Sequence, residues 1–144
     1  MMRLLVNNKK AKHNYELLDK YEAGISLSGN EVKSLALHHG SLDDSYVIIR
    51  KNEAYILNLL IPKYKFDTSK TNNETRTRKL LLHKSEILKI DLLRKQQSMV
   101  IIPYQIYFSK NKIKVSIHLA KPKKRHDKRE SIKNRDIQRE IRKY

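Results

Sequence analysis

Lys112-Ile113-Lys114-Val115-Ser116-Ile117-His118-Leu119 is the stretch that decides the fold. Four aliphatic residues alternate strictly with four polar ones. A strand turns successive side chains to opposite faces, so this pattern places one face in a core and the other in water. Just upstream, Val100–Phe108 is a second apolar run, with Tyr104, Ile106 and Phe108 expected on one side. Ser109-Lys110-Asn111 lies between the runs as a turn, so the two read as a hairpin. A further hairpin is expected from Tyr46–Arg50 and Ala54–Ile61, joined by Lys51-Asn52-Glu53 and stopped by Pro62. Tyr15–Leu18 and Tyr21–Leu27 add two short extended runs.

Two helices interrupt these strands. Ser28-Gly29-Asn30-Glu31 matches a capping box, in which the serine accepts from the amide three residues on and the glutamate reaches back. The helix it opens places Val32, Leu35 and Ala36 on one face, and Gly40 is expected to end it in the left-handed conformation. Lys84–Gln97 reads as the second helix, with Ile87, Ile90 and Leu93 on its apolar face and Ser85 as its cap. Residues 7–14 read as a polar arm or loop. Residues 63–79 form a long polar segment, and loops of that length are uncommon in compact domains. The expected architecture is mainly β with helices: an OB-like barrel of about six antiparallel strands with two inserted helices. It spans residues 1–120. Residues 121–144 carry eleven Lys or Arg, four acids and only three aliphatic residues, Ile132, Ile137 and Ile141. That is too little apolar surface to offset the ordering entropy, so this tail is expected to be disordered when free and able to become helical.

Charge narrows the function. Thirty-two Lys or Arg against fifteen acids leave a net +17 and a pI near 10.1. Folding does not need this excess, and self-repulsion makes it a cost. A polyanion that offsets it is expected. Nucleic acid comes first, because each neutralised phosphate releases counterions, followed by an anionic membrane and acidic proteins. No apolar stretch reaches the length of a membrane-spanning helix. Met1–Val6 is too short for a secretory signal. With no cysteine, no thiolate metal site or disulfide is possible, which fits a reducing cytoplasm. His38 and His39 are adjacent and the other histidines are scattered, so no metal is expected. Neither Asp43-Asp44 nor His126-Asp127 sits in a setting suited to catalysis. No cofactor loop is present, since the only glycines are Gly24, Gly29 and Gly40.

Three basic clusters remain: Lys9, Lys10, Lys12 and His13; Arg76, Arg78, Lys79 and Lys84; and Lys121, Lys123, Lys124, Arg125, Lys128 and Arg129. One such run alone is usually a solvated face. Three together favour phosphate contacts. A basic ribosomal protein and an RNA-processing enzyme are the rival readings. The enzyme would need paired carboxylates on barrel strands, and none are found.

Five strings then carry a resemblance. They are Asn8–Tyr15; Tyr21–Ile25 with Gly29–Leu35; Asp44-Ser45-Tyr46; Arg78–Lys84; and His126-Asp127-Lys128-Arg129-Glu130. In this order they resemble the small protein B family, also called SsrA-binding protein, from about residue 7 to the end. The resemblance implies an OB-type barrel that binds the tRNA-like domain of transfer-messenger RNA. It implies delivery with elongation factor Tu to stalled ribosomes, where the tail enters the decoding site and the empty message channel. It implies a cytoplasmic, non-membrane, monomeric adaptor that is not an enzyme. By the family's pattern, Lys9, Lys10, Lys12, His13 and Tyr15, the helix residues Glu31 and Lys33, and Arg76, Arg78, Lys79, His83 and Lys84 touch that RNA. Lys123, Lys124, Arg125, His126, Asp127, Lys128 and Arg129 are the tail's ribosome contacts. Glu31→Gln is then expected to keep the helix cap and the melting temperature while weakening RNA binding. The chain departs from the family at Asn72–Arg78, where a proline is common, so the resemblance assigns no specific contact to residues 65–75.

Overall fold

The alternating strand is one wall of a closed ring. The computed structural model describes residues 2–66 and 73–123. Its elements are β1 (Met2–Asn7), α1 (Ala11–Asn14), β2 (Tyr15–Ile25), α2 (Gly29–Ala36), β3 (Tyr46–Arg50), β4 (Glu53–Leu57), β5 (Arg78–Leu81), α3 (Lys84–Gln96), β6 (Val100–Ser109) and β7 (Lys112–Pro122). All pairings are antiparallel. The order β3-β4-β5-β2-β7-β6 closes on itself because β6 also pairs with β3. This is the expected OB-like barrel, with the two runs at residues 15–18 and 21–27 merged into β2 and with β1, β5 and α1 added to the elements the sequence suggested.

β5 takes the end of the segment read as a polar loop, and β1 and α1 come from the N-terminus. Residues 2–7 pair with the far end of β6, Met2 opposite Ser109 and Asn7 opposite Gln105. The strand escapes pattern reading because a bulge between Leu4 and Val6 turns the neighbours Leu5 and Val6 both inward, which destroys the alternation. Residues 11–14 form one helical turn, and Ala11 is buried against Ile102 and Ala120. The expected arm is therefore packed on the barrel.

Inside the ring, Val115, Ile117 and Leu119 of β7 meet Leu35, Ile56, Leu80, Ile101 and Ile106. A second bulge, between Pro103 and Gln105, changes the reading of β6. Before it Ile101 points inward; after it Ile106 does, with Phe108 beside the core. Tyr104 faces outward with Ile102, not inward with Ile106 as the simple alternation suggested. Proline has no N–H to offer a ladder, so an irregularity is where it fits. Both hairpins turn on two residues with positive φ, Lys51-Asn52 (52° and 63°) and Lys110-Asn111 (53° and 64°). Two-residue loops of this kind match the twist of the strands they join. Glu53 and Ser109 consequently belong to strands. The β4 ladder ends at Leu57, short of the expected Ile61.

The capping box at α2 is complete: the Glu31 amide donates to Ser28 Oγ at 3.2 Å and the Ser28 amide to Glu31 Oε1 at 3.0 Å. The helix ends differently from expectation. His38, at φ 64°, takes the left-handed conformation, and Gly40 has no positive φ. Gly40 is there for space. A Cβ on it would sit 2.6 Å from Leu35 Cδ2 and 3.1 Å from Val6 Cγ2, and both residues are core. Gly40→Ala is therefore expected to lower stability by about 1–3 kcal/mol through overpacking, read from urea midpoints at constant slope. An unchanged midpoint would mean that Leu35 moves aside freely. At α3 the N-cap is His83 rather than Ser85, and the His83 amide donates to Glu86 Oε1 at 3.1 Å.

Candidate nucleic-acid interface

Glu31, the first expected RNA contact, is turned toward the protein. Its Oε1 accepts from the Ser28 amide and from Arg76 Nη2 at 2.6 Å. Its Oε2 accepts from Arg76 Nε at 3.1 Å and Arg78 Nε at 2.8 Å, with Arg78 Nη2 at 2.6 Å. A carboxylate offers about four lone-pair sites, and five donors already converge here. Burial pushes the carboxyl up, but the bonds from Arg76, the Ser28 amide and Arg78 outweigh it and hold it below its ordinary range. In this structure every lone pair of this carboxylate is taken by a partner within the protein.

Arg78 is likewise engaged within the protein. It is 0% exposed, and its remaining donors go to the carbonyls of Leu59 at 2.7 Å, Arg76 at 3.1 Å and Glu74 at 3.1 Å. All five N–H groups are used within the fold, so Arg78 acts as a buried staple. Arg76 is two-fifths exposed but forks onto Glu31. Lys33 is half-buried, with its ammonium 5.5 Å from the Tyr64 ring centroid.

Lys79, His83 and Lys84 do come together, in a groove of about 680 Å³ between the end of β5, the start of α3 and the first hairpin turn. Leu80, Leu81, Leu82 and Ile87 give it an apolar floor. Gly24 keeps that floor open, since a Cβ there would lie 3.3 Å from Leu81 Cβ. Three acids line it, each already accepting a bond from the protein. Glu53 takes Lys79 Nζ and Tyr55 Oη, both at 2.8 Å, which lowers its carboxyl below the usual range. Glu86 takes the His83 amide. Glu22 accepts from the Tyr107 hydroxyl; burial, and then this carboxylate, push that phenol far up. Lys84 and Lys114 have no carboxylate within 4.0 Å among the described residues. The groove thus offers two ammonium groups with no ion-pair partner among the described residues, around an apolar floor and beside the carboxylates of Glu22 and Glu86. That is a surface for phosphates and unstacked bases.

Sequence reading missed Glu22, Asn52 and Lys114 in this groove. The alternation put Lys114 on the wet face of β7. Only the pairing of Gly24 with both Lys114 and Leu81 brings it beside β5.

The N-terminal cluster is elsewhere. Tyr15 begins β2 and Gly24 lies near its other end, so the two basic sites are roughly 30 Å apart along the strand at about 3.3 Å per residue. Lys9, Lys10, Lys12 and His13 are exposed around α1. Lys10 lies 4.0 Å from Asp43, and Lys12 stands 5.4 Å from the Tyr104 ring centroid. Tyr15 packs beneath α1 against the Ala11–Ile102–Ala120 cluster. Lys123 is held at this pole: its amide donates to Asn14 O at 2.9 Å and its ammonium to Lys12 O at 2.6 Å. β7 runs on to Pro122. Lys124, Arg125, His126, Asp127, Lys128 and Arg129 lie outside the described residues. Among the described residues, no helix is long and apolar enough to cross a membrane, and no three metal-ligating side chains are gathered.

Comparison with known proteins agrees in family and in shape. A family model described as "SmpB protein" matches residues 5–144. An SsrA-binding protein of Mycoplasmoides gallisepticum is 85% identical over 99% of this chain and 100% of its own length. One from Malacoplasma penetrans is 52% identical, covering 99% of this chain and 98% of its own. A solved structure described as "tmRNA-SmpB: a journey to the center of the bacterial ribosome" superposes with a TM-score of 0.68 at 37% identity. It covers 88% of this chain and 92% of the other.

Proposed function

This chain belongs to the SmpB protein family, and from that premise we propose that it is an RNA-binding adaptor for the tRNA-like domain of transfer-messenger RNA. It brings that RNA to stalled ribosomes for trans-translation, as a cytoplasmic monomer in a complex that includes elongation factor Tu. It catalyses no reaction itself. The observation that carries the reading is the groove with free Lys84 and Lys114 over an apolar floor, on a barrel 37% identical to a structure described as transfer-messenger RNA with SmpB. The groove holds the RNA. The opposite pole, with Lys9, Lys10, Lys12 and His13, faces a second polyanion, and the ribosome supplies one. Glu31, Arg76 and Arg78 serve by fixing the segment that leads into β5.

The residues after Lys123 are assigned the ribosomal work in the decoding site and message channel. They hold nine of the chain's Lys or Arg, and rRNA phosphate rewards each contact by counterion release. The test is a tagging assay on stalled ribosomes with sequencing of the RNA that co-purifies. A chain ending at Lys123 is expected to melt like the parent and to retain one dominant RNA with a tRNA-like end, but not to support tagging. A chain ending at Ala120 is expected to melt lower, because it loses the pairing of Lys121 and Pro122 with Glu16 and Tyr15 and both bonds of Lys123. Tagging by the Lys123 truncation, or a random RNA population, would count against this assignment.

A further inference from the structure

The barrel closes at its weakest on one seam. β3 and β6 share a single pair, Val47 opposite Ile101, and the rest of that β3 edge has no strand partner among the described residues. The seam opens into a cleft of about 610 Å³ between Ser45–Ile49 on one side and Met99–Ile102 on the other. Val47 and Ile101 close its base. Tyr46, 41% exposed, and Val100, 37% exposed, stand at its mouth. Lys10, Asn14 and Tyr15 of the N-terminal pole, the carboxylate Asp44, and Arg94 of α3, which pairs with Asp91 at 2.7 Å, also line it.

One buried group in this cleft is half satisfied. Asn8 is only 5% exposed and lines the cavity. Its Nδ2 donates to Pro103 O at 2.9 Å, while its Oδ1 accepts from no group among the described residues. Buried polar atoms are rarely left without a partner, because the desolvation is then uncompensated. A ligand with an N–H or O–H donor would supply the missing bond. The rim adds charge: Lys10 meets only Asp43, at the 4.0 Å limit with both side chains more than half exposed, and Lys9, Lys12 and His13 crowd the same pole.

We propose that the β3–β6 cleft takes one unstacked ribonucleotide, its base beside Tyr46 with a donor to Asn8 Oδ1 and its phosphate toward Lys10. This rests on the RNA-binding reading above and adds a second contact, remote from the Lys84–Lys114 groove. Apolar walls suit a base face, an amide oxygen suits its N–H edge, and the exposed lysines of the N-terminal pole, rather than the part of the lining that holds Asp44, suit its phosphate. Duplex RNA hides its base faces by stacking and does not fit such a cleft.

The test uses the full chain, ¹⁵N-labelled, titrated with single-stranded hexa-adenylate, an abasic hexamer of equal charge, and a six-base-pair duplex. The hexa-adenylate is expected to shift the Asn8 side-chain amide and the Tyr46–Ile49 backbone amides, and the abasic and duplex RNAs are not. Tyr46→Ala, at an exposed position, is expected to weaken hexa-adenylate binding roughly 5- to 150-fold, the range found when an aromatic that stacks one base is removed. Ile48→Trp, which fills the cleft, should do the same without altering the melting temperature. Equal shifts from the abasic hexamer, or none from hexa-adenylate, would overturn the proposal. So would matching shifts from a peptide of residues 124–144 but not from RNA, which would make the chain's own C-terminal segment the occupant. Lys84→Ala with Lys114→Ala is expected to leave the hexamer shifts in place, and their loss would move the site to the groove. If the hexamer binds in the cleft while no transfer-messenger RNA co-purifies, the cleft assignment stands and the broader functional reading fails.

Discussion

Glu31→Ala is expected to cost about 3–5 kcal/mol, the usual penalty for removing one partner of a buried ion pair. That corresponds to a melting temperature lower by roughly 10–20 °C for a domain of this size. The cost lies with Arg78, which would remain 0% exposed and charged without its anion. Arg76→Ala removes a two-fifths exposed partner from the same carboxylate and is expected to cost no more than about 1 kcal/mol, as exposed pairs do. The sequence expectation that Glu31→Gln spares stability is revised accordingly. Gln can still serve the Ser28 amide, but it brings an NH₂ where two arginines need acceptors, so it should lose much of what Ala loses. Below its melting temperature, Glu31→Gln is expected to bind RNA as the parent does, because the carboxylate has no free lone pair. An unchanged melting curve with lost affinity would restore Glu31 as a direct contact. The pH dependence has a definite sign. The folded carboxyl sits below its unfolded value, so its stabilising contribution is complete above the ordinary range near about pH 4.3. It is lost as pH falls through the lower, folded value. Acid melts of the parent and of Glu31→Ala should therefore converge at low pH.

The affinity for folded RNA is expected to fall by roughly 10³–10⁵ between 50 and 200 mM salt if about six to ten phosphates are contacted. Lys84→Ala with Lys114→Ala should reduce the slope of log affinity against log salt by about two, one for each phosphate no longer neutralised. The melting temperature should stay unchanged, since neither lysine has a carboxylate partner among the described residues. A full-length titration with the transfer-messenger RNA's tRNA-like domain, followed by fluorescence anisotropy, measures both slopes. A flat parent curve would argue against a phosphate-driven interface. A parent-like slope in the double variant would move the interface away from this groove.

Much of this protein was written in local pattern. The alternation at Ile113–Leu119 reads as a strand with its aliphatic face in the core, because side-chain period and backbone pleat are the same property, although Ser116 on the other face is buried as well. The Ser28–Glu31 box and the Lys51-Asn52 and Lys110-Asn111 turns are equally local, since each is settled within about four residues. The excess of cations pointed to a polyanion before any fold was known, and the ordered strings pointed to the family. What tertiary structure alone decided involves residues far apart in the chain. The bulges at Leu4–Val6 and Pro103–Gln105 reverse which neighbours face the core, and only the partner strand shows where the extra residue falls. Arg78 looked like the centre of a basic cluster, yet the barrel closes over it, because its five donors find Glu31 and three carbonyls between residues 59 and 76. Lys114 looked like one more wet-face lysine until antiparallel pairing set it in the same groove as Lys84. Charge is a property of the residue, but whether a charge is spent inside the fold or left free for a phosphate depends on what the closed ring brings within about 4 Å of it.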